Sequence, residues 1–204
     1  MKTKDQLRKK FLAQRQKKYF DVSNKNLFKL INFIKKKNKL KKNLFIALYY
    51  PSNYEFDVLK IISSLKNPKA IFLLPKIFNN HLLKFVEWNK YDVLEVNKFG
   101  IPEPFDNNKK SLIPDIVLVP LLAFDYRKNR LGYGKGFYDR YLNKIIKLNK
   151  KIETIGVAFS FQKYKKLPTS NFDFKLNNIF TEKGFVKWEY SYWVIFADQQ
   201  VWKL

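Results

Sequence analysis

The stretch DIVLVPLLAFDYRKNRLGYGKGFYDRYL, residues 115–142, reads as a strand, a glycine loop and the start of a helix. Its first six residues are short, apolar, rich in β-branched side chains and bounded by Pro114 and Pro120, which suits a buried strand. Gly132, Gly134 and Gly136, half of the chain's six glycines, come next, and helical spacing is expected over 136–149. In open α/β sheets, binding sites lie beyond the C-terminal ends of strands, which is where this loop falls. Glycines without a β-carbon let backbone N–H groups converge, and a helix N-terminus adds to such an anion cradle. Lys135 adds mobile charge, while Arg127 and Arg130 offer forked donors for phosphate or carboxylate oxygens. Asp139 lies close enough in sequence to carry a magnesium ion for a bound phosphate. The bare G-x-G-x-G spacing matches neither the Walker pattern nor the dinucleotide fingerprint, so a glycine turn with a water-facing lysine stays open at this point.

Working outward, helices are expected over 4–20, 24–37 (capped by Ser23) and 55–65, and strands over 44–50, 69–75 and 153–159. Strands separated by helix-length segments predict an α/β fold: a layered architecture with a central, mostly parallel, twisted sheet flanked by helices. One domain is expected to span residues 1–204. Within it, the tryptophan-rich stretch 185–204 supplies one or two extra strands packed on the sheet edge.

Composition removes several chemistries. The chain has no cysteine, so disulfides, thiol catalysis and cysteine-bound zinc are excluded. His81 is the only histidine, and any Ser-His-Asp triad would need it. The absence of a span-length apolar run and of a signal-peptide core predicts a cytoplasmic protein with no membrane partner, and Asp5 speaks against a transit peptide. A net charge of +24 invites a nucleic-acid reading. Only Arg8, Arg15, Arg127, Arg130 and Arg140 are arginines, however, and the lysine excess looks like a compositional bias of solvated positions.

The first helix carries a second signal. At about 100° per residue, Lys4, Arg8 and Arg15 fall within an arc of about 40°, flanked by Leu7 and Phe11 on one side and Leu12 and Tyr19 on the other. Three aligned cations inside an apolar face are expected to meet a buried anion.

The segment 115–142 closely resembles the signature of the 5-formyltetrahydrofolate cyclo-ligases, whose pattern runs from a strand ending in proline through AFD to RLGYGKG[FY]YDR[FY]L. FGIPEP (99–104), LPTSNFD (167–173) and IFTEKG (179–184) appear in the order usual for that family, so the resemblance covers about residues 4–184. It implies a carbon–nitrogen ring-forming ligase that converts 5-formyltetrahydrofolate to 5,10-methenyltetrahydrofolate, using ATP and magnesium and releasing ADP and phosphate. The formyl oxygen would be phosphorylated first; N10 would then attack the activated carbon and phosphate would leave. Carried onto this chain, Lys4 and Arg8 would hold ATP phosphates. Arg130, Leu131, Gly132, Tyr133, Gly134, Lys135, Gly136, Phe137 and Tyr138 would wrap the nucleotide. Lys135, Arg130 and Tyr138 would act on the transferring group. Tyr50 and Glu55, together with Tyr133, Lys135, Phe137, Tyr138 and Asp139, would face the folate. Asp139 and Asp173 would be the magnesium carboxylates, and Arg15 and Arg140 are secondary candidates.

Two positions depart from the family pattern. Leu121 replaces a usual glycine, so the backbone there must avoid a glycine-only conformation, and Phe172 stands where histidine is common, which removes a hydrogen-bonding group beside Asp173. The folate is expected as a small-molecule partner, with its polyglutamate tail suited to the lysine surface, and the protein as a monomer without a specific nucleic acid. The alternatives are a lysine-rich nucleic-acid-binding protein and a catalytically weak folate- or nucleotide-binding relative.

Overall fold

The computed structural model describes residues 2–37, 42–78, 82–105, 109–148 and 151–187. His81 and residues 188–204 lie outside them, as does most of the expected C-terminal extension. Helices α1 (Lys4–Lys18) and α2 (Asn24–Lys37) precede β1 (Leu44–Ala47), α3 (Lys60–Leu65) and β2 (Ala70–Phe78). Then come β3 (Leu82–Glu87), β4 (Leu94–Val96), β5 (Pro102–Pro104), β6 (Ile116–Pro120), β7 (Ala123–Phe124) and β8 (Arg130–Leu131). The chain continues through α4 (Phe137–Leu148), β9 (Glu153–Val157), β10 (Asn178–Thr181) and β11 (Gly184–Phe185). Among the described residues, no helix is long and apolar enough to cross a membrane.

The main sheet has seven strands in the order β11-β10-β9-β6-β1-β2-β3. The five inner strands run parallel, and β3 and β11 close the edges antiparallel, so the mostly parallel layered sheet expected from sequence is what forms. Period-2 alternation divides its two faces. Ile46, Leu48, Ile116, Leu118, Ile155 and Val157 pack with Leu27, Leu30 and Ile34 of α2 and Ile61 and Leu65 of α3. Ala47, Val117, Val119 and Ile179 meet Leu142 and Ile145 of α4 on the other face. Helix α1 stands apart from both layers, burying Leu7 and Phe11 against Leu122, Ala123, Leu131 and Leu167. Its start is fixed by a capping box between Thr3 and Gln6.

From β1 the sheet grows outward through β2, and from β6 it grows the opposite way through β9. The order therefore reverses between β1 and β6, which places a crevice beyond their C-terminal ends. The loops there are 48–59 and 121–136, and the latter holds the glycines.

Several local expectations are corrected. The helix expected over 55–65 begins only at Lys60, because the Asp57 side chain accepts from Leu59 N–H and Ser52 and Asn53–Tyr54 form a separate turn. Strand β2 runs on to Phe78 through Pro75, whose missing N–H falls on the β1 side beyond the last β1 pairing at Leu73. The expected Ser23 cap is reversed: Asn26 Oδ1 accepts from both Ser23 N and Ser23 Oγ. Of the 185–204 stretch, Phe185 pairs antiparallel with Phe180 on the sheet edge.

Leu121 is buried, and its φ is not positive, so the backbone accommodates a side chain where the resembled pattern has glycine. The compensating glycine is Gly156. A β-carbon there would lie 2.7 Å from Leu121 Cδ2, Ile179 Cδ1 and Leu176 Cδ1. Gly156→Ala is expected to destabilise the fold by roughly 1–3 kcal/mol through overpacking, checked as a lower urea midpoint at unchanged m-value.

Candidate active site

A cleft of about 740 Å³ opens at the order reversal of the sheet. Its wall combines the β1 loop (Tyr49, Tyr50, Ser52, Asn53, Glu55), α1 (Lys4, Arg8), the 130–140 segment, Phe172 and Asp173. The hairpin of β4 and β5 closes the remaining side with Asn97, Phe99, Ile101 and Glu103. All the residues carried over from the family signature line this one cavity: Lys4, Arg8, Tyr50, Glu55, Arg130 to Asp139, and Asp173.

Buried Asp125 shapes the approach to the loop. Its carboxylate accepts from Arg127 N, Asn129 N, Asn129 Nδ2 and Leu167 N, making a tight turn between β7 and β8. That turn sends Arg127 out to solvent, where its guanidinium lies 5.3 Å from the Tyr126 ring. Arg127, offered above as an anion donor beside Arg130, is therefore not part of the cleft. Two loop glycines are needed for conformation and space together. Gly134 has φ +98 and Gly136 φ +66, and β-carbons would approach Arg8 Cζ to 3.2 Å and Arg140 Nη1 to 2.9 Å. Arg8 Nε donates to Gly132 O at 3.0 Å and Arg140 Nη1 to Lys135 O at 2.9 Å, so two arginines hold the loop by its carbonyls. Lys135 itself is exposed to the cleft, its Nζ 5.9 Å from the Phe99 ring centroid, and makes no ion pair among the described residues.

The two carboxylates are each held by a cation. Asp139 Oδ1 accepts from Arg130 Nη2 at 2.8 Å and from Phe174 N at 2.9 Å. Asp173 Oδ2 accepts from Lys4 Nζ at 2.6 Å and Ser170 N at 2.7 Å. Burial of Asp173 works against its ionisation, but the Lys4 and Ser170 hydrogen bonds outweigh it and hold the carboxyl below its usual range. Phe172, 82 % exposed at the rim, adds no polar group to Asp173. No group of three or more histidine, cysteine or acidic side chains suited to a metal occurs among the described residues. Both acids spend these bonds on a single oxygen. That donor set suits a magnesium ion that keeps waters and takes phosphate oxygens, and does not suit an all-protein cage.

On the β1-loop side of the cleft a polar chain reaches the glycine loop through Tyr133, which stands between Gly132 and Gly134. Glu55 is 6 % exposed and accepts from Ser52 N at 2.9 Å and from the Tyr133 hydroxyl. Arg15 Nη2 donates to that same hydroxyl at 2.5 Å. Burial raises the Glu55 pKa, opposed by Arg15, Tyr133 and Ser52. Burial also raises Tyr138 well above the phenol range; its hydroxyl is neutral and has no partner among the described residues. Phe99 and Phe137 meet edge to face at 5.5 Å and give the cleft an aromatic wall.

Sequence reasoning missed the hairpin wall. Glu103 accepts from Ile77 N and Asn97 Nδ2, and buried Lys76 donates to Glu95 and to Pro104 O, tying β4 and β5 to β2. The available signal was an acid inside the otherwise apolar FGIPEP. The aligned cations of α1 do not share one buried anion: Lys4 meets partly buried Asp173, Arg8 meets exposed Asp5 and the loop, and buried Arg15 donates to the Tyr133 hydroxyl.

Residues 1–182 match the model of the 5-formyltetrahydrofolate cyclo-ligase family. The chain is similar to the 5-formyltetrahydrofolate cyclo-ligase of Haemophilus influenzae, with 36 % identity over 140 residues, 66 % of this chain and 73 % of that one. It is similar to its namesake in Mycoplasma genitalium, with 33 % identity over 66 % of this chain and 70 % of the relative. Among solved structures, the 5,10-methenyltetrahydrofolate synthetase of Aquifex aeolicus superposes with a TM-score of 0.68 at 31 % identity, covering 91 % of this chain and 93 % of that one. The 5,10-methenyltetrahydrofolate synthetase of Mycoplasma pneumoniae gives 0.66 at 27 %, covering 87 % and 98 %.

Proposed function

The chain belongs to the 5-formyltetrahydrofolate cyclo-ligase family, and from that membership we propose that its cleft closes 5-formyltetrahydrofolate to 5,10-methenyltetrahydrofolate at the expense of ATP. One observation carries the reading. A single cleft brings together the cations of α1, the glycine loop, the buried Glu55 carboxylate bonded to that loop through Tyr133, and the aromatic pair Phe99 and Phe137.

The chemistry explains why the cations and the carboxylate are needed together. An amide-like formyl oxygen is a poor leaving group, and transfer of the ATP γ-phosphoryl group to it turns it into a good one. N10 then attacks the formyl carbon and loses its proton, and the C–O bond breaks with release of phosphate. Charge on the transferring group asks for fixed cations aimed at it. Lys135, free of any ion pair among the described residues and carried on lysine's flexible stem, is suited to follow that charge, while Arg130 is fixed beneath the loop by Asp139. Lys4 and Arg8 approach the loop from α1 and suit the remaining phosphates. Tyr138 offers a neutral hydroxyl as donor, with no competing partner among the described residues. Asp139 and Asp173 would hold magnesium, which supplies neutralisation of phosphate charge. Glu55 and Tyr50 would face the folate, with Tyr133 and Phe137 alongside.

The test is spectroscopic. Purified protein mixed with 5-formyltetrahydrofolate, ATP and magnesium is expected to form the methenyl chromophore, and to form none when ATP or magnesium is omitted. No product in the complete mixture would overturn the proposal.

A further inference from the structure

The stripe of cations on α1 does not end at the phosphate side of the cleft. Lys4, Arg8, Arg15 and Tyr19 follow one another at spacings of four, seven and four residues, so they share one face of the helix. The first two line the cleft, where Arg8 donates to the glycine loop and Lys4 to Asp173; the last two do not line it, and Arg15 lies behind Tyr133. Arg15 is 1 % exposed, and among the described residues no side chain less than 2 % exposed is larger. Its Nη1 donates to Leu121 O at 3.2 Å, and its Nη2 to the Tyr133 hydroxyl, which in turn donates to Glu55. The guanidinium also lies 5.6 Å from the Tyr133 ring centroid.

Glu55 is gripped from a second direction. Ser52 N donates to its carboxylate and Glu55 N donates back to Ser52 O, closing a turn over 52–55. Inside that turn Asn53 and Tyr54 have φ of 47° and 61°, a left-handed pair without a glycine. A bulky residue in that region is strained, and such strain persists only where surrounding packing over-determines it. The packing is Tyr19: its ring meets Tyr54 edge-on at 5.8 Å and is itself backed by Phe159 at 6.1 Å. Arg15, in the last turn of α1, thus backs the Tyr133 grip, and Tyr19, which caps that helix, packs on the turn that carries Ser52.

We propose that Arg15 and Tyr19 are positioning residues that aim the Glu55 carboxylate at the folate, Arg15 through the Tyr133 hydroxyl and Tyr19 through the left-handed turn at Tyr54. This rests on the reading above that Glu55 faces the folate. A carboxylate held on both oxygens has one orientation, and small misplacements of a binding group are expensive. Because one helix carries Lys4, Arg8 and Arg15, it also fixes the span between the first two cations and Glu55.

The experiment compares Arg15→Met, Arg15→Lys and Tyr19→Ala with wild type and Glu55→Gln, measuring KM separately for 5-formyltetrahydrofolate and ATP. Arg15→Met and Tyr19→Ala are each expected to raise the folate KM about tenfold while the ATP KM moves less than about twofold. Arg15→Lys is expected to recover part of the loss, since it keeps the charge but cannot span Leu121 O and the Tyr133 hydroxyl together. Tyr19 is 43 % exposed, so its variant keeps the test alive even if Arg15→Met fails to fold. A folate KM near wild type in the variants that fold, or an equal rise for ATP, overturns the proposal. If Glu55→Gln moves the folate KM and these variants do not, the proposal alone fails. If Glu55→Gln leaves the folate KM unmoved, the folate reading of Glu55 fails and takes the proposal with it.

Discussion

Lys135→Ala is expected to lower kcat by roughly two to three orders of magnitude, the usual loss when one donor to developing charge is removed. The thermal midpoint is expected to stay at the wild-type value. The two halves of that result come from the same geometry. Lys135 is exposed, makes no ion pair among the described residues and touches the core only through a distant approach to Phe99. Its removal strands no buried acid and opens no cavity, which are the routes to large destabilisation. The loop conformation survives as well, because Arg8 and Arg140 hold it through the carbonyls of Gly132 and Lys135, and the second contact uses backbone that alanine retains. The contrast is Arg130, which is nearly buried and paired with Asp139, so that its loss would mix folding with chemistry. Stopped-flow appearance of the methenyl product, run beside a thermal melt, reads both quantities. Near-normal turnover would remove Lys135 from the transfer step, and a collapsed melt would show that the loop depends on it.

The site was legible in sequence where a motif demanded one backbone shape. Strand 116–120, the glycines and α4 follow one another as expected, because a continuous apolar run, residues without β-carbons and a helical apolar rhythm are each local signals. Helix α2 appears with the bounds its periodicity gave. The failures come from polar groups whose partners apolar spacing does not register, some far away in sequence and some only a few residues off. Lys76 and Glu103 carry no local sign of burial, yet they are buried and tie β4 and β5 to β2 across more than twenty residues. Arg127 read as a companion to Arg130, but Asp125 collects the backbone of that turn and leaves Arg127 outside. The segment 55–59 looked helical because Asp57 capping Leu59 and the Ser52–Glu55 turn are local alternatives that apolar spacing does not register. Arg15 was visible as a misplaced cation on α1, while its route through Tyr133 to Glu55 required the fold.

Glu55→Gln is expected to produce a protein that is more stable at neutral pH and yet binds folate about 10- to 100-fold more weakly, the range for losing a hydrogen bond to a charged group. The stability half follows from linkage. Burial raises the folded-state pKa of Glu55 above its unfolded value, and this net direction already includes the opposing pull of Arg15. Between those two values the folded protein holds more protons than the unfolded chain. Its stability therefore falls as pH rises from the ordinary carboxylate range to the folded pKa, and stays lowered above it. Glutamine resembles the protonated acid and carries no such loss. The depressed pKa values of Asp92 and Asp173 act with the opposite sign in acid, but they are present in both proteins and cancel in the comparison. Melting curves against pH are thus expected to coincide at the acid end and to separate in favour of Glu55→Gln as pH rises. The binding half follows from what the carboxylate is held ready to do: Ser52, Tyr133 and Arg15 all favour the charged form against burial, an arrangement that serves a ligand donor better than it serves the fold. Folate titration without nucleotide checks it. A variant that melts below wild type at neutral pH would show that Arg15 depends on the negative charge more than burial opposes it, and unchanged folate affinity would detach Glu55 from the substrate.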